Sequence, residues 1–229
     1  MIIGSVSENK DTEKRISVTP ENVKKFVSNG FKVYLEKNYG QHLDMNDEKF
    51  SANGAEFFSD KEKIIKESDI LLQLNLPDED DLRSLSPNKN LIGVFDPEKN
   101  KNIISKLSGN KINVFSLELL PRITRAQSMD ILSSQANLAG YKAVVDAFSF
   151  FNKAIPMMMT AAGTIPAAKV LIVGAGVAGL QAIATAKRMG AIVFATDVRI
   201  ASKEQVESLG GKFLIVEGSE NLETEGGYV

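Results

Sequence analysis

The 229-residue chain contains no cysteine and a single histidine. Without cysteine, disulfides, thiolate metal sites and cysteine nucleophiles are all excluded. The one histidine, His42, falls in Gly40-Gln41-His42-Leu43-Asp44, which reads as a loop and makes it a solvated residue rather than an acid–base group. Long apolar runs are missing too: no stretch stays apolar for the roughly 18 residues that a membrane-spanning helix needs. Met1-Ile2-Ile3-Gly4 lacks a basic n-region and reads as a first strand, not as a signal peptide. A formal net charge of −2 gives no sign of a surface for nucleic acid or of a polybasic membrane patch. The expectation is a soluble, cytoplasmic chain that does not bind nucleic acid.

What is present is alternation. Apolar runs at Ile2–Val6, Lys32–Leu35, Ile70–Leu74, Leu91–Phe95 and Ile112–Phe115 read as strands. Helix patterns near Pro20–Asn29, Asp60–Glu67 and Glu98–Leu107 lie between them. The first of these is well marked: Thr19 as N-cap, Pro20 at the first helical position and Gly30 just past the end. Strands alternating with helices predict parallel sheets covered on both faces. Asp78 to Asp81 reads as a solvated charge run. Pro156 to Ala168 is apolar but short, punctuated by Gly163 and two prolines, and reads as a buried inter-domain connection. The predicted fold class is α/β: two Rossmann-like parallel-sheet lobes joined by a long helix. The boundaries fall at 1–126 for the N-terminal lobe, 127–162 for the connecting helix and inter-domain segment, and 163–229 for the second lobe.

The second lobe opens on a nucleotide-binding fingerprint. Val170 to Val173 enters Gly174-Ala175-Gly176-Val177-Ala178-Gly179, an alanine-rich helix pattern stops at Gly190, and a second apolar run ends in Asp197. Gly174 permits the sharp turn after the strand. Gly176 lets a pyrophosphate approach the backbone, and Gly179 lets the helix lie close to the strand. The N–H groups that open the helix, at Val177 and Ala178, lack intrahelical partners and suit a diphosphate. Asp197 stands where a carboxylate accepts from the adenosine ribose hydroxyls and repels a 2′-phosphate, which favours NAD over NADP. Arg199, two residues on, blurs that preference. The flanking strand, helix, glycine, second strand and acid make the motif specific where GxGxxG alone is not.

Between the lobes, Gln127 to Asn152 reads as one long helix. Val144, Val145, Phe148 and Phe151 recur at helical spacing and belong to a core. Gln127, Asp130, Ser134 and Asn137, with Ser133 and Gln135 close by, form a polar stripe on one face. Read alone, that stripe is either a wet, capped helix start or a binding face.

The run from Pro121 through Arg122, Ile123, Thr124, Arg125, Ala126, Gln127, Ser128, Met129 and Asp130 to Gln135 resembles the signature of proton-translocating NAD(P) transhydrogenase. The similarity is to the NAD(H)-binding component of the alpha subunit, domain I. It continues through Asn137–Tyr141, Thr160–Thr164, the glycine motif and Lys203–Gly211. The resemblance implies a bound NAD(H) whose nicotinamide end contacts Arg122, Ile123, Thr124, Gln127, Asp130 and Ser133. Gln127 would orient the ring for hydride transfer and so counts as catalytic. Gly174, Gly176, Val177, Ala178, Gly179 and Asp197 match the pyrophosphate and adenosine contacts, and Gly227 and Tyr228 match a closing loop. It also implies two partners, one carrying NADP(H) and one conducting protons through the membrane. A homodimer, peripheral on the cytoplasmic face of the inner membrane, and a nucleotide held in the cleft between the lobes complete what it implies. No metal is expected.

Alanine dehydrogenase, of the same fold family, is the first alternative. The resemblance places its catalytic lysine at Asn75 and its catalytic histidine at Asp96, while Arg15, a carboxylate binder in that relative, is kept. Reductive amination needs a proton donor and acceptor at the reacting atoms; hydride transfer between two nicotinamides needs neither. The second alternative is a non-catalytic NAD-binding module. After Lys169 only Val170–Val173, Ile192–Thr196 and Phe213–Val216 read as strands, against about six in a complete doubly wound domain, so the second lobe is expected to be incomplete.

Overall fold

The computed structural model describes residues 1–121 and 123–215. It divides into two compact units, Met1–Asp130 and Ile131–Val229.

In the first unit, β1 (Ile2–Ser5) leads to α1 (Pro20–Ser28), β2 (Lys32–Glu36), α2 (Asp47–Ser51), β3 (Ala55–Phe58), α3 (Lys61–Glu67) and β4 (Ile70–Leu72). Then follow α4 (Glu79–Arg83), β5 (Asn90–Gly93), α5 (Lys101–Gly109) and β6 (Asn113–Ser116). The strands form a six-stranded sheet in the order β3-β2-β1-β4-β5-β6, parallel throughout. The first three helices start where side chains satisfy orphan N–H groups. Thr19 and Asn22 form a reciprocal capping box on α1, Asn46 caps α2 and Asp60 caps α3. Central strands are buried on both faces, with Ile3, Val33, Leu35, Leu71 and Leu91 nearly inaccessible. One core gathers Val6, Ile64, Ile65, Leu91, Phe95 and Leu107; the other gathers Val18, Val23, Leu35, Tyr39 and Phe50.

The second unit contains α6 (Ile131–Phe150), an antiparallel hairpin β7 (Met158–Thr160) and β8 (Gly163–Ile165), then β9 (Lys169–Val173), α7 (Val177–Arg188), β10 (Ile192–Thr196), α8 (Lys203–Ser208) and β11 (Lys212–Phe213). Among the described residues its main sheet has three parallel strands, in the order β11-β10-β9. Val144 of α6 packs with Ala182, Ile183 and Ala186 of α7 and Val193 and Ala195 of β10. On β9, Leu171 is 59% and Val173 79% exposed.

Three sequence expectations need correction, the simplest being Phe151, expected in the core but exposed just past the end of α6. The helix expected from Gln127 begins at Ile131: Thr124–Met129 is a 3₁₀ helix, and Asp130 is extended at φ −73°, ψ 91°. Gln127 and Asp130 therefore do not share a helix face with Ser134 and Asn137. A 3₁₀ turn advances about three residues per turn, close enough to 3.6 for the spacing to carry across the break unnoticed. The segment from Pro156 is not a buried connection either. Residues 156–166 are exposed, with Met157 at 61% and Met159 at 79%, because the Gly163 turn (φ 133°) folds the apolar run back on itself as a hairpin. No helix among the described residues is long and apolar enough to cross a membrane.

Candidate nucleotide-binding site

The loop between β9 and α7 is shaped by its glycines. Gly174 turns at φ 97°, a conformation that a side chain would strain, and its N–H donates to the Thr196 carbonyl at 2.8 Å. A Cβ on Gly179 would fall 1.8 Å from the Gly174 carbonyl oxygen, so only glycine lets α7 begin this close to the strand end. Over Gly176 the space is open, with nothing within 4 Å of where a Cβ would point. Gly176 is the N-cap of α7 and supplies no side-chain cap, and both it and Val177 are exposed. An uncapped, accessible helix start with an open backbone cradle fits a diphosphate group.

Asp197 follows β10 and reaches across to the same loop. Its Oδ2 accepts the Ala175 N–H at 2.6 Å, and its Oδ1 accepts the Arg199 N–H at 2.8 Å. The Arg199 guanidinium adds Nε to Oδ1 at 2.9 Å and Nη2 to Oδ2 at 3.1 Å. These donors, the Arg199 side chain foremost, hold the Asp197 carboxyl down at about 2 against the opposing effect of burial. Asp197 is therefore an anion, the charge state a ribose acceptor needs, here engaged by the protein's own donors. The chemistry of this donor and acceptor set fits an NAD(H) adenosine half.

The segment expected at the nicotinamide end belongs to the first unit up to Asp130. Ile123, Thr124 and Gln127 are exposed on or beside the 3₁₀ helix, which is anchored by buried Ala126, while Asp130 is half-buried. Ser133 is half-buried on the first turn of α6. Arg122, Gly227 and Tyr228 lie outside the described residues.

The positions that separate the two chemistries are committed elsewhere. Asn75 Nδ2 donates to Glu8 Oε2 at 3.2 Å, beside a pocket of about 240 Å³ at the C-terminal ends of β1 and β4. Asp96 sits at φ 44° on a turn where its N–H and that of Phe95 both donate to Glu118 Oε1. Its carboxylate takes Lys99 Nζ at 2.6 Å, and that contact holds the Asp96 carboxyl below its ordinary value. Arg15 pairs with Glu13 at 2.6 Å within its own loop. His42 is exposed on a short 3₁₀ turn with Nε2 2.8 Å from the Lys14 carbonyl.

Sequence reasoning missed two contributors, Ala175 and Gly140, and saw Arg199 without its bonds to Asp197. Ala175 lends Asp197 a backbone N–H, which no side-chain pattern reveals. Arg199 is the main side-chain partner of Asp197; its spacing hinted at that. Gly140, in mid-helix, is buried against α7: a Cβ there would stand 2.0 Å from the Ala178 carbonyl oxygen. A glycine inside a helical run was the available signal.

A family model described as "Alanine dehydrogenase/PNT, N-terminal domain" matches residues 4–139, and the corresponding C-terminal domain model matches residues 143–226. The chain is 46% identical over 235 residues to an NAD(P) transhydrogenase subunit alpha protein of Rhodospirillum rubrum, covering 100% of this chain and 61% of that protein. Against the alanine dehydrogenase of Methanococcus maripaludis the identity is 26% over 214 residues, covering 92% and 57%. The crystal structure of transhydrogenase from Sinorhizobium meliloti superposes with a TM-score of 0.90 at 47% identity, covering 95% of this chain and 62% of that one. The chain thus spans about three-fifths of the length of the relatives it matches.

Proposed function

The chain belongs to the alanine dehydrogenase/PNT family, and from that premise we propose that it is the NAD(H)-binding portion of a proton-translocating NAD(P) transhydrogenase. A bound nicotinamide would supply the hydride chemistry, directed at an NADP⁺ on a partner component. Gly174, Gly176, Val177, Ala178 and Gly179 hold the diphosphate, and Asp197 holds the adenosine ribose. Gln127 would aim the nicotinamide, with Arg122, Ile123, Thr124, Asp130 and Ser133 on its carboxamide and ribose side. The partners are an NADP(H)-binding component and a membrane proton-conducting component. The chain works as a homodimer, peripheral on the cytoplasmic face of the inner membrane.

The observation that carries the choice between transhydrogenase and alanine dehydrogenase is Asn75. A neutral amide there, bonded to Glu8, can neither donate nor accept the proton that amino-acid oxidation moves. Positioning alone suffices for the other chemistry: ordering two reactants supplies on the order of 7–11 kcal/mol of barrier reduction. The test is reconstitution of the chain with NADP(H)-binding and membrane components from a relative such as that of Rhodospirillum rubrum, followed by NADH-dependent reduction of an NADP⁺ analogue. Transfer is expected. L-Alanine-dependent reduction of NAD⁺ by the chain on its own would establish the dehydrogenase reading instead, and NADH binding without transfer would leave a binding module.

A further inference from the structure

The acceptor capacity of Asp197 is full. A carboxylate has about four acceptor positions, and four donors occupy them: the N–H groups of Ala175 and Arg199 at 2.6 and 2.8 Å, and Nε and Nη2 of Arg199 at 2.9 and 3.1 Å. Its side chain is only 5% exposed and that of Arg199 21%. Two of the donors are backbone groups and stay with the loop. The other two belong to a side chain that rotamer changes can move. The guanidinium fork presents two N–H groups to two carboxylate oxygens, as the vicinal hydroxyls of a ribose do. Hydroxyl oxygens bonding the same carboxylate must stand about 2.7 Å from it, in the volume that the guanidinium nitrogens now fill. Both cannot be there together.

We propose that Arg199 is a specificity-determining residue of this site. Its guanidinium occupies the ribose position of Asp197, leaves when the adenosine diol binds, and from its new position neutralises the charge that Asp197 would present to a 2′-phosphate. The site consequently separates NAD(H) from NADP(H) less sharply than Asp197 without Arg199 would. A guanidinium is suited to the second duty, because its planar fork matches phosphate oxygens as well as carboxylate oxygens. The proposal rests on the nucleotide reading of the site, and its test keeps the two apart.

The full chain, and its Arg199→Ala and Arg199→Gln variants, are titrated calorimetrically with ADP and with 2′,5′-ADP, and by nicotinamide fluorescence with NADH and NADPH. Arg199→Gln retains N–H donors for Asp197 without the charge, so it preserves the loop if the alanine variant does not fold. The native chain is expected to bind ADP more tightly than 2′,5′-ADP. Both variants should lose about tenfold or more in affinity for 2′,5′-ADP, the scale of one charge-assisted contact, while affinity for ADP holds or tightens. NADH and NADPH should follow the same pattern. A preference that stays within about twofold of native, or an equal loss for both ligands, overturns the role of Arg199 alone. A native chain that binds neither ADP nor NADH overturns the nucleotide site together with it.

Discussion

Replacing Gly140 by alanine separates two opposite outcomes. On an exposed helix this change stabilises by about 1 kcal/mol, since alanine is the better helix former. Here the added Cβ would meet the Ala178 carbonyl oxygen at 2.0 Å, with the Ala178 carbonyl carbon at 2.8 Å and Cα at 3.0 Å. All three are backbone atoms, so no rotamer change relieves the contact. Ordinary van der Waals contact begins near 3.4 Å, so α6 and α7 must part by up to 1.4 Å (3.4 minus 2.0) at that crossing. The same two helices enclose Val144, Ala182, Ile183 and Ala186, and parting them opens this core. Overpacking of this kind costs roughly 1–3 kcal/mol, enough to outweigh the propensity gain. Gly140→Ala should therefore lower the urea midpoint, with a net loss of up to about 2 kcal/mol once the propensity gain is subtracted. Because Ala178 lies in the first turn of α7, NADH affinity should fall as well. A variant as stable as the parent, or more so, would refute the close crossing.

Further outcomes can be checked independently. Gln127→Asn should leave NADH affinity near native, since the exposed side chain is not part of the adenosine half. It should slow hydride transfer to an NADP⁺ analogue in the reconstituted complex by about tenfold or more, and an unchanged rate would remove the orienting role. Asp197 has a depressed pKa in the folded chain, about 2 against an ordinary 3.8, so its contribution is present above about pH 4 and lost as pH falls toward 2. In Asp197→Ala that share of the acid-unfolding profile should disappear and NADH binding should weaken. Thr19→Ala removes one half of the capping box on α1 and should cost about 1 kcal/mol in chemical denaturation without altering NADH affinity.

What the sequence revealed and what it hid follow from the same physics. β10 was legible to the residue, because an apolar run bounded by Gly190 and Asp197 leaves one register available. The start of α1 was equally plain, since Thr19 and Pro20 each act locally. β3 was not seen: Ala55–Phe58 is a short strand interrupted by Glu56, and its pairing with β2 is non-local. Asp78–Asp81 read as a charge run because charge says nothing of Leu82, the buried residue around which the short α4 forms. The candidate site divides in the same way. Gly174, Gly176, Gly179 and Asp197 announce themselves through spacing. The Ala175 N–H, the Arg199 fork and the crossing at Gly140 depend on backbone positions that only the fold supplies.

The placement of charge in the first unit bears on how the proposed chemistry could have come to need so few reactive groups. At the C-terminal ends of β4 and β5, where an open parallel sheet presents its site, stand Asn75 and Asp96. One is tied to Glu8, and the other to Lys99, which holds it as a permanent anion at neutral pH. Arg15, the remaining group of that constellation, is engaged by Glu13, whose carboxyl is held below its ordinary range chiefly by that same arginine. Each group is paired within its own neighbourhood and none is poised to exchange a proton near pH 7. In the second unit the reverse holds: the uncapped helix start presents donors, and the anionic Asp197 becomes an acceptor for a nucleotide once the Arg199 guanidinium moves aside, without any proton moving. Among the described residues, this arrangement favours a reaction that asks the protein to hold and aim over one that asks it to take up and return a proton. Restoring lysine at Asn75 should therefore fail to produce alanine oxidation while Asp96 and the Arg15–Glu13 pair remain, and measurable L-alanine turnover in Asn75→Lys would show that the proton-transfer machinery had been one residue from complete.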